Sequence, residues 1–190
     1  MVWSVDTTKL KQVPGSKNEK LRRMIGGRFK RDFESLDELF DHQIAAGGPN
    51  TYEALRQIVD GTIPEGVQNG AIYRYAFKLI VDHLGTFLDN NAVCPIGSDF
   101  GDFDRCLADL AIPFKLSDFY GSDLPVKLPY PDDFPLSGWV DEATVVTVHD
   151  AFLAAKPPIL ALEVRDVFEC IRGWFRDAAA KNRGIVSFYH

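Results

Sequence analysis

The feature that most constrains the fold is near the end of the chain. Val164, Val167, Phe168, Ile171, Trp174, Phe175 and Ala178 recur at i, i+3, i+4 and i+7 through two cycles. On a helix they form one apolar stripe that must be buried. The opposite face carries Arg165, Glu169, Arg172 and Arg176, spaced for ion pairs that contribute about 0.2–0.5 kcal/mol each. GIVSFYH follows at residues 184–190, with β-branched and aromatic residues alternating about a strand axis. VWSV, residues 2–5, has the same character and is expected as an edge strand.

Between these termini the pattern is mostly helical. Ser16 and Glu19 have the spacing of a capping box, which predicts a helix over residues 17–25 that stops at Gly26 and Gly27. Leu36, Leu39, Phe40 and Ile44 mark a second helix. Asn50 is expected to cap a third, with Tyr52, Leu55 and Ile58 buried before Gly61. Residues 71–84 form the strongest helix of the first half, since Ile72, Ala76, Leu79, Ile80 and Leu84 share a face. Phe103, Cys106, Leu107 and Leu110 define a shorter one, closed by Pro113. Asp141 suits the N-cap of a helix bearing Val145, Val148 and Phe152, which runs to Pro157-Pro158.

The fold class that follows is α+β, a predominantly helical single domain over residues 1–190. A small sheet formed in part by the N- and C-terminal strands completes it. An apolar content of 46% in 190 residues supplies a real core.

Function classes are narrowed by what the residues can do. No apolar run approaches the roughly 20 residues needed to cross a bilayer, so no membrane association is expected. MVWSVDTTKL lacks the basic start and apolar stretch of a signal peptide, so a cytoplasmic location is expected. Three cysteines, Cys94, Cys106 and Cys170, show no C-x-x-C spacing and fit a reduced compartment. His42, His83 and His149 each adjoin an aspartate, but neighbours on a helix diverge by about 100°. No metal site and no cofactor are expected. Cys94, in AVCPIG, is a nucleophile only if a base such as His83 comes near. Asp99, Asp102 and Asp104 in GSDFGDFD match neither a kinase nor an EF-hand pattern and read as a turn and helix cap.

Net charge is −6 and uneven. Residues 1–31 hold nine Lys or Arg against two acids, and the other 159 residues hold 12 against 25. A nucleic acid would be attracted to the first segment and repelled by the rest, so no nucleic-acid partner is expected. The basic segment 9–31 reads as a solvated helix face, the alternative being nucleic-acid binding through it, which would show as salt-dependent retention on DNA or RNA.

Residues 112–140 lack a sustained period and contain prolines at 113, 125, 129, 131 and 135. A short strand is expected at residues 126–128, and a connection this long is often functional. Within it, LPYPDDFPLSGWV sets Asp132 and Asp133 among rings and prolines. In an extended backbone the two carboxylates diverge, which disfavours a shared-proton pair. Tyr130, Phe134 and Trp139 offer large contact area at low entropic cost, so Tyr130, Asp132, Asp133, Phe134 and Trp139 form the candidate partner-binding set. The bland alternative is that the rings anchor the loop to the core while the aspartates stay solvated.

PDDFPLSGWVDEATV, with GWFRDAAAKNRGIVSFYH after it, resembles the C-terminal part of uncharacterised bacterial proteins of the YfbM-like kind and related domains of unknown function. The resemblance covers residues 131–190. In those proteins an acid-and-proline loop leads to a helix that starts L-T-x-E-E-V. Here Asp141 stands where Thr is common, and Thr144 where Glu would complete a capping box. The resemblance implies an α+β fold and brings no established activity and no catalytic residue to carry across. By class analogy, a small acidic chain without a catalytic fingerprint is expected to bind protein. The concrete expectation is an immunity-type protein that neutralises a bacterial toxin, its partner a toxin domain with a basic active-site face. The alternative is an enzyme acting on a small molecule through scattered groups such as Asp132, His83 and Tyr73.

Overall fold

The structure is a computed structural model, and it describes residues 1–67, 69–93, 100–121, 124–155 and 162–189. The fold is α+β. Its elements are β1 (Val2–Val5), α1 (Thr7–Lys11), α2 (Glu19–Arg28), α3 (Lys30–Leu39), α4 (Asp41–Ala45), α5 (Thr51–Asp60) and α6 (Ala71–Leu84). They continue with β2 (Thr86–Leu88), α7 (Gly101–Asp109), a 3-10 turn (Leu116–Tyr120), β3 (Leu136–Val140), α8 (Glu142–Ala154), α9 (Leu162–Ala179) and β4 (Gly184–Tyr189). The chain divides into two compact units. A sheet unit comprises Met1–Thr7, Gly85–Leu124 and Leu136–Tyr189, and a helical unit comprises Thr8–Leu84 and Pro125–Pro135.

In the sheet unit the four strands are antiparallel in the order β2-β1-β4-β3. The two terminal strands pair as expected, with Val2 opposite Ser187 and Trp3 opposite Val186. VWSV is an interior strand, not an edge, because β2 covers its free side. All four of its residues are buried accordingly. The α9 stripe is buried as the period demands, with Phe168, Ile171, Phe175 and Ala178 at or near zero exposure. It packs with Val145, Val148 and Phe152 of α8, whose N-cap Asp141 accepts from Thr144 N at 2.8 Å. Two acids tie loops down. Glu142 accepts from Thr7 N at 2.7 Å and Thr7 Oγ1 at 2.6 Å, and Asp104 accepts from Leu116 N at 2.6 Å.

In the helical unit α6 is the centre, with Ala71 through Phe77 and Leu79 through Val81 buried. Asn50 caps α5 by accepting from Glu53 N at 2.7 Å, and Gly61 ends it in the left-handed region at φ 71°. The buried face of α5 is Ala54, Leu55, Ile58 and Val59, while Tyr52 stays 39% exposed. Helix α2 departs from its expected limits at both ends. Asn18 is the cap, accepting from Leu21 N at 3.0 Å, and the helix continues through both glycines to Arg28. Gly26 is there for contact, since a Cβ on it would meet Tyr52 Cε2 at 2.7 Å. The second predicted helix is two, α3 and α4, broken at Phe40, and Leu39 is 63% exposed while Phe33 and Phe40 are buried.

The strand expected at residues 126–128 is not formed. Val126 and Leu128 are buried, but the flanking Pro125 and Pro129 have no N–H for a ladder. The strand of this region is β3, inside LPYPDDFPLSGWV.

Candidate functional site

The loop of residues 129–134 rests on the start of α6 through backbone. Gly70 N donates to Tyr130 O at 2.7 Å, and Arg74 Nε donates to Pro129 O at 3.3 Å. Arg74 is 4% exposed, and its guanidinium carbon lies 5.1 Å from the Tyr130 ring centroid, within reach of a cation–π attraction. A Cβ on Gly70 would stand 2.2 Å from Pro129 O. The loop sits where it does because residue 70 has no side chain.

The candidate residues divide between the units. Tyr130, Asp132, Asp133 and Phe134 lie in the helical unit, and Trp139 lies in the sheet unit, in β3, half-buried opposite Val186. Tyr130 is 65% exposed and Phe134 39% exposed, so both rings present area to solvent, Tyr130 while resting against the buried Arg74. Asp132 and Asp133 are exposed, and residues 132–134 form a bend. The opposite-sides argument for the two carboxylates assumed extended backbone and does not apply to a bend.

The scattered acid, base and hydroxyl are not brought together. Tyr73 and His83 are both on α6, ten residues apart, which is about 15 Å along the axis. Tyr73 donates to Gln57 Oε1 at 2.5 Å, and burial, then the charge of Glu53, pushes its hydroxyl above the ordinary tyrosine range. It lines a concavity of about 470 Å³ with Gln43, Pro49, Pro64, Asn69 and Ile72, a wall that includes neither His83 nor Asp132. Cys94 and Asp99 lie outside the described residues. Among the described residues no cluster of three His, Cys, Asp or Glu is placed to hold a metal ion, and no helix is long and apolar enough to cross a membrane.

Burial, and next the charge of Arg28, lower the His83 pKa, against the opposing charge of Asp82. The unfolded chain therefore binds a proton at this position more readily than the folded chain. Stability from this group is complete above the unfolded value of about 6.5 and is lost as pH falls through that value towards the folded one. A His83→Gln variant is expected to show a flatter stability profile between pH 7 and 5 in urea titrations. An unchanged slope would remove His83 as the cause.

Sequence reading missed Gly70 and Arg74 as the residues that hold the loop. Their partners are 55 or more positions away, and no local pattern marks the pairing. It also missed how charge is divided. The helical unit has thirteen Lys or Arg against twelve Asp or Glu, and the sheet unit eight against fifteen. The acidic character belongs to the sheet unit.

No curated protein and no solved structure matches the chain. A family model does, over residues 1–190, and therefore over far more than the residues 131–190 that suggested YfbM-like proteins. The chain belongs to the family described as Domain of unknown function (DUF7691).

Proposed function

We propose that this chain is a non-enzymatic protein-binding module, most concretely an immunity-type protein that neutralises a toxin enzyme by covering its active-site face. The observation that carries this reading is the loop at residues 130–134. It exposes two large rings, Tyr130 and Phe134, beside two exposed carboxylates, on backbone fixed by Gly70, Arg74 and three prolines. Aromatic side chains held rigidly in solvent contribute contact area without a large ordering cost on binding. The paired aspartates favour a partner whose facing surface is basic, as an enzyme that acts on an anionic substrate has. Trp139 is set aside, since it is a sheet residue of the other unit.

The test is affinity capture of partners from the host's own lysate with the full chain, followed by titration of the captured protein. Tyr130→Ala is expected to weaken binding by about 2–4 kcal/mol, the range of an interface anchor. Asp132→Asn with Asp133→Asn is expected to slow association and reduce its salt dependence. Each variant should leave the melting temperature nearly unchanged, because the altered side chains are exposed. If a captured partner binds all of these variants as tightly as the native chain, the loop is structural and the reading fails.

A further inference from the structure

Helix α2 contains a glycine that the fold does not use. Gly27 is exposed, and a Cβ built on it meets nothing within 4 Å. Its neighbour Gly26 is explained by the Tyr52 ring, but at Gly27 alanine would fit and would be the better helix former. The surroundings of this open stretch of backbone hold exposed Lys20, Arg23, Arg28, Lys30 and Arg31, with exposed Glu19, Asp32 and Glu34 among them, an excess of base. Lys20, Arg23 and Gly27 share a face of α2 at i, i+3 and i+7. Lys30 and Arg31 begin α3 immediately past Phe29. Arg23, 73% exposed, pairs with Glu19 at 2.6 Å. Among the described residues Lys20, Lys30 and Arg31 form no ion pair, and all three are exposed.

We propose that this strip, Lys20, Arg23, Gly27, Lys30 and Arg31, is a docking surface for the phosphate backbone of a nucleic acid, with Gly27 as the place where a phosphate comes against the helix. Charge over the whole chain argues against such a partner, but the excess of acid is in the sheet unit, and the helical unit has one more base than acid. Long flexible cations suit a regular row of phosphates, which needs no shaped complement. They suit a protein partner less well, because lysine is depleted in protein interfaces and, among the described residues, Met24 at 50% is the one large apolar side chain that α2 exposes. The proposal is independent of the protein-binding reading, which concerns another surface.

Fluorescence anisotropy of the full chain with a labelled 20-nucleotide single-stranded RNA tests it. Three or four neutralised phosphates give an expected slope of about −2 to −3 in log affinity against log salt. Lys20→Gln, Lys30→Gln and Arg31→Gln together are expected to lower affinity at least tenfold at low salt and to flatten that slope. The control set Lys115→Gln, Lys127→Gln and Lys181→Gln should lower it less than twofold. Gly27→Ala is the sharper variant. It should raise the melting temperature by about 2–4 °C, from the helix propensity gained, while weakening RNA binding severalfold. Binding unchanged by Gly27→Ala, a loss as large in the control set, or no binding at low salt overturns the proposal. Equal competition by polyglutamate also overturns it, in favour of an acidic protein. The loop variants Tyr130→Ala and Asp132→Asn should leave RNA binding as it is.

Discussion

Phe175→Ala is expected to destabilise the sheet unit by about 3–5 kcal/mol, the usual cost of emptying a buried phenylalanine site. The ring is fully buried on α9, with Phe114 edge-on at 4.9 Å and Phe152 tilted at 5.9 Å. Phe114 in turn meets Phe119 at 5.1 Å, and Phe152 meets Phe168 at 5.2 Å. Removing Phe175 therefore strips the edge-to-face contact from one ring and the packing from the other. Neither neighbour can move into the gap without leaving its own partner. This chain of rings is why the upper part of the range is expected, since the cost rises with the volume that fails to collapse. Against a total of about 5–15 kcal/mol for a folded domain, the loss is a large fraction. All three tryptophans, Trp3, Trp139 and Trp174, belong to the sheet unit, so tryptophan fluorescence follows that unit alone in a urea titration. The midpoint should fall with an unchanged slope. A shift worth less than 1 kcal/mol would mean that α9 does not pack as described.

The parts of the fold legible in the sequence are those in which a local rule and the tertiary packing ask for the same thing. Helix α6 and the α9 stripe have both the period and the burial. Asn50 and Asp141 are caps by residue type and by hydrogen bond. The terminal strands are legible because alternating β-rich segments at both ends of a helical chain have each other to pair with. Where the reading departs from the structure, a distant contact overrules the local signal. Gly26 and Gly27 look like a helix stop, yet one accommodates Tyr52 and neither breaks the helix. VWSV looks like an edge strand because nothing local announces β2, a strand of three residues. The candidate site follows the same division. The exposed rings and acids are visible as a composition, whereas the glycine and arginine that hold them are visible only once residues 70–74 and 129–130 are adjacent.

Gly70→Ala is the second substitution with a large expected effect, and it separates the loop's placement from its side chains. A Cβ at residue 70 would lie 2.2 Å from Pro129 O, 2.4 Å from Pro129 C and 2.7 Å from Pro129 Cβ. Two of these atoms are backbone, and proline has little freedom to turn away, so the loop itself has to move. That movement breaks the 2.7 Å bond from Gly70 N to Tyr130 O and the 3.3 Å bond from the buried Arg74 to Pro129 O. Overpacking costs about 1–3 kcal/mol and a buried hydrogen bond about 1 kcal/mol more, so a loss of about 2–4 kcal/mol is expected. Gly27→Ala makes the same chemical change on the same unit with no atom in the way, and the opposite sign is expected there. Hydrogen exchange is the discriminating measurement. In Gly70→Ala, the amide of residue 70, which donates to Tyr130 O in the native chain, should lose protection while those of α9 keep theirs. A partner that binds the loop should also bind this variant less well than the native chain, although Tyr130, Asp132, Asp133 and Phe134 are all still present. Full partner affinity with the amide of residue 70 unprotected would show that recognition does not depend on how α6 holds those residues.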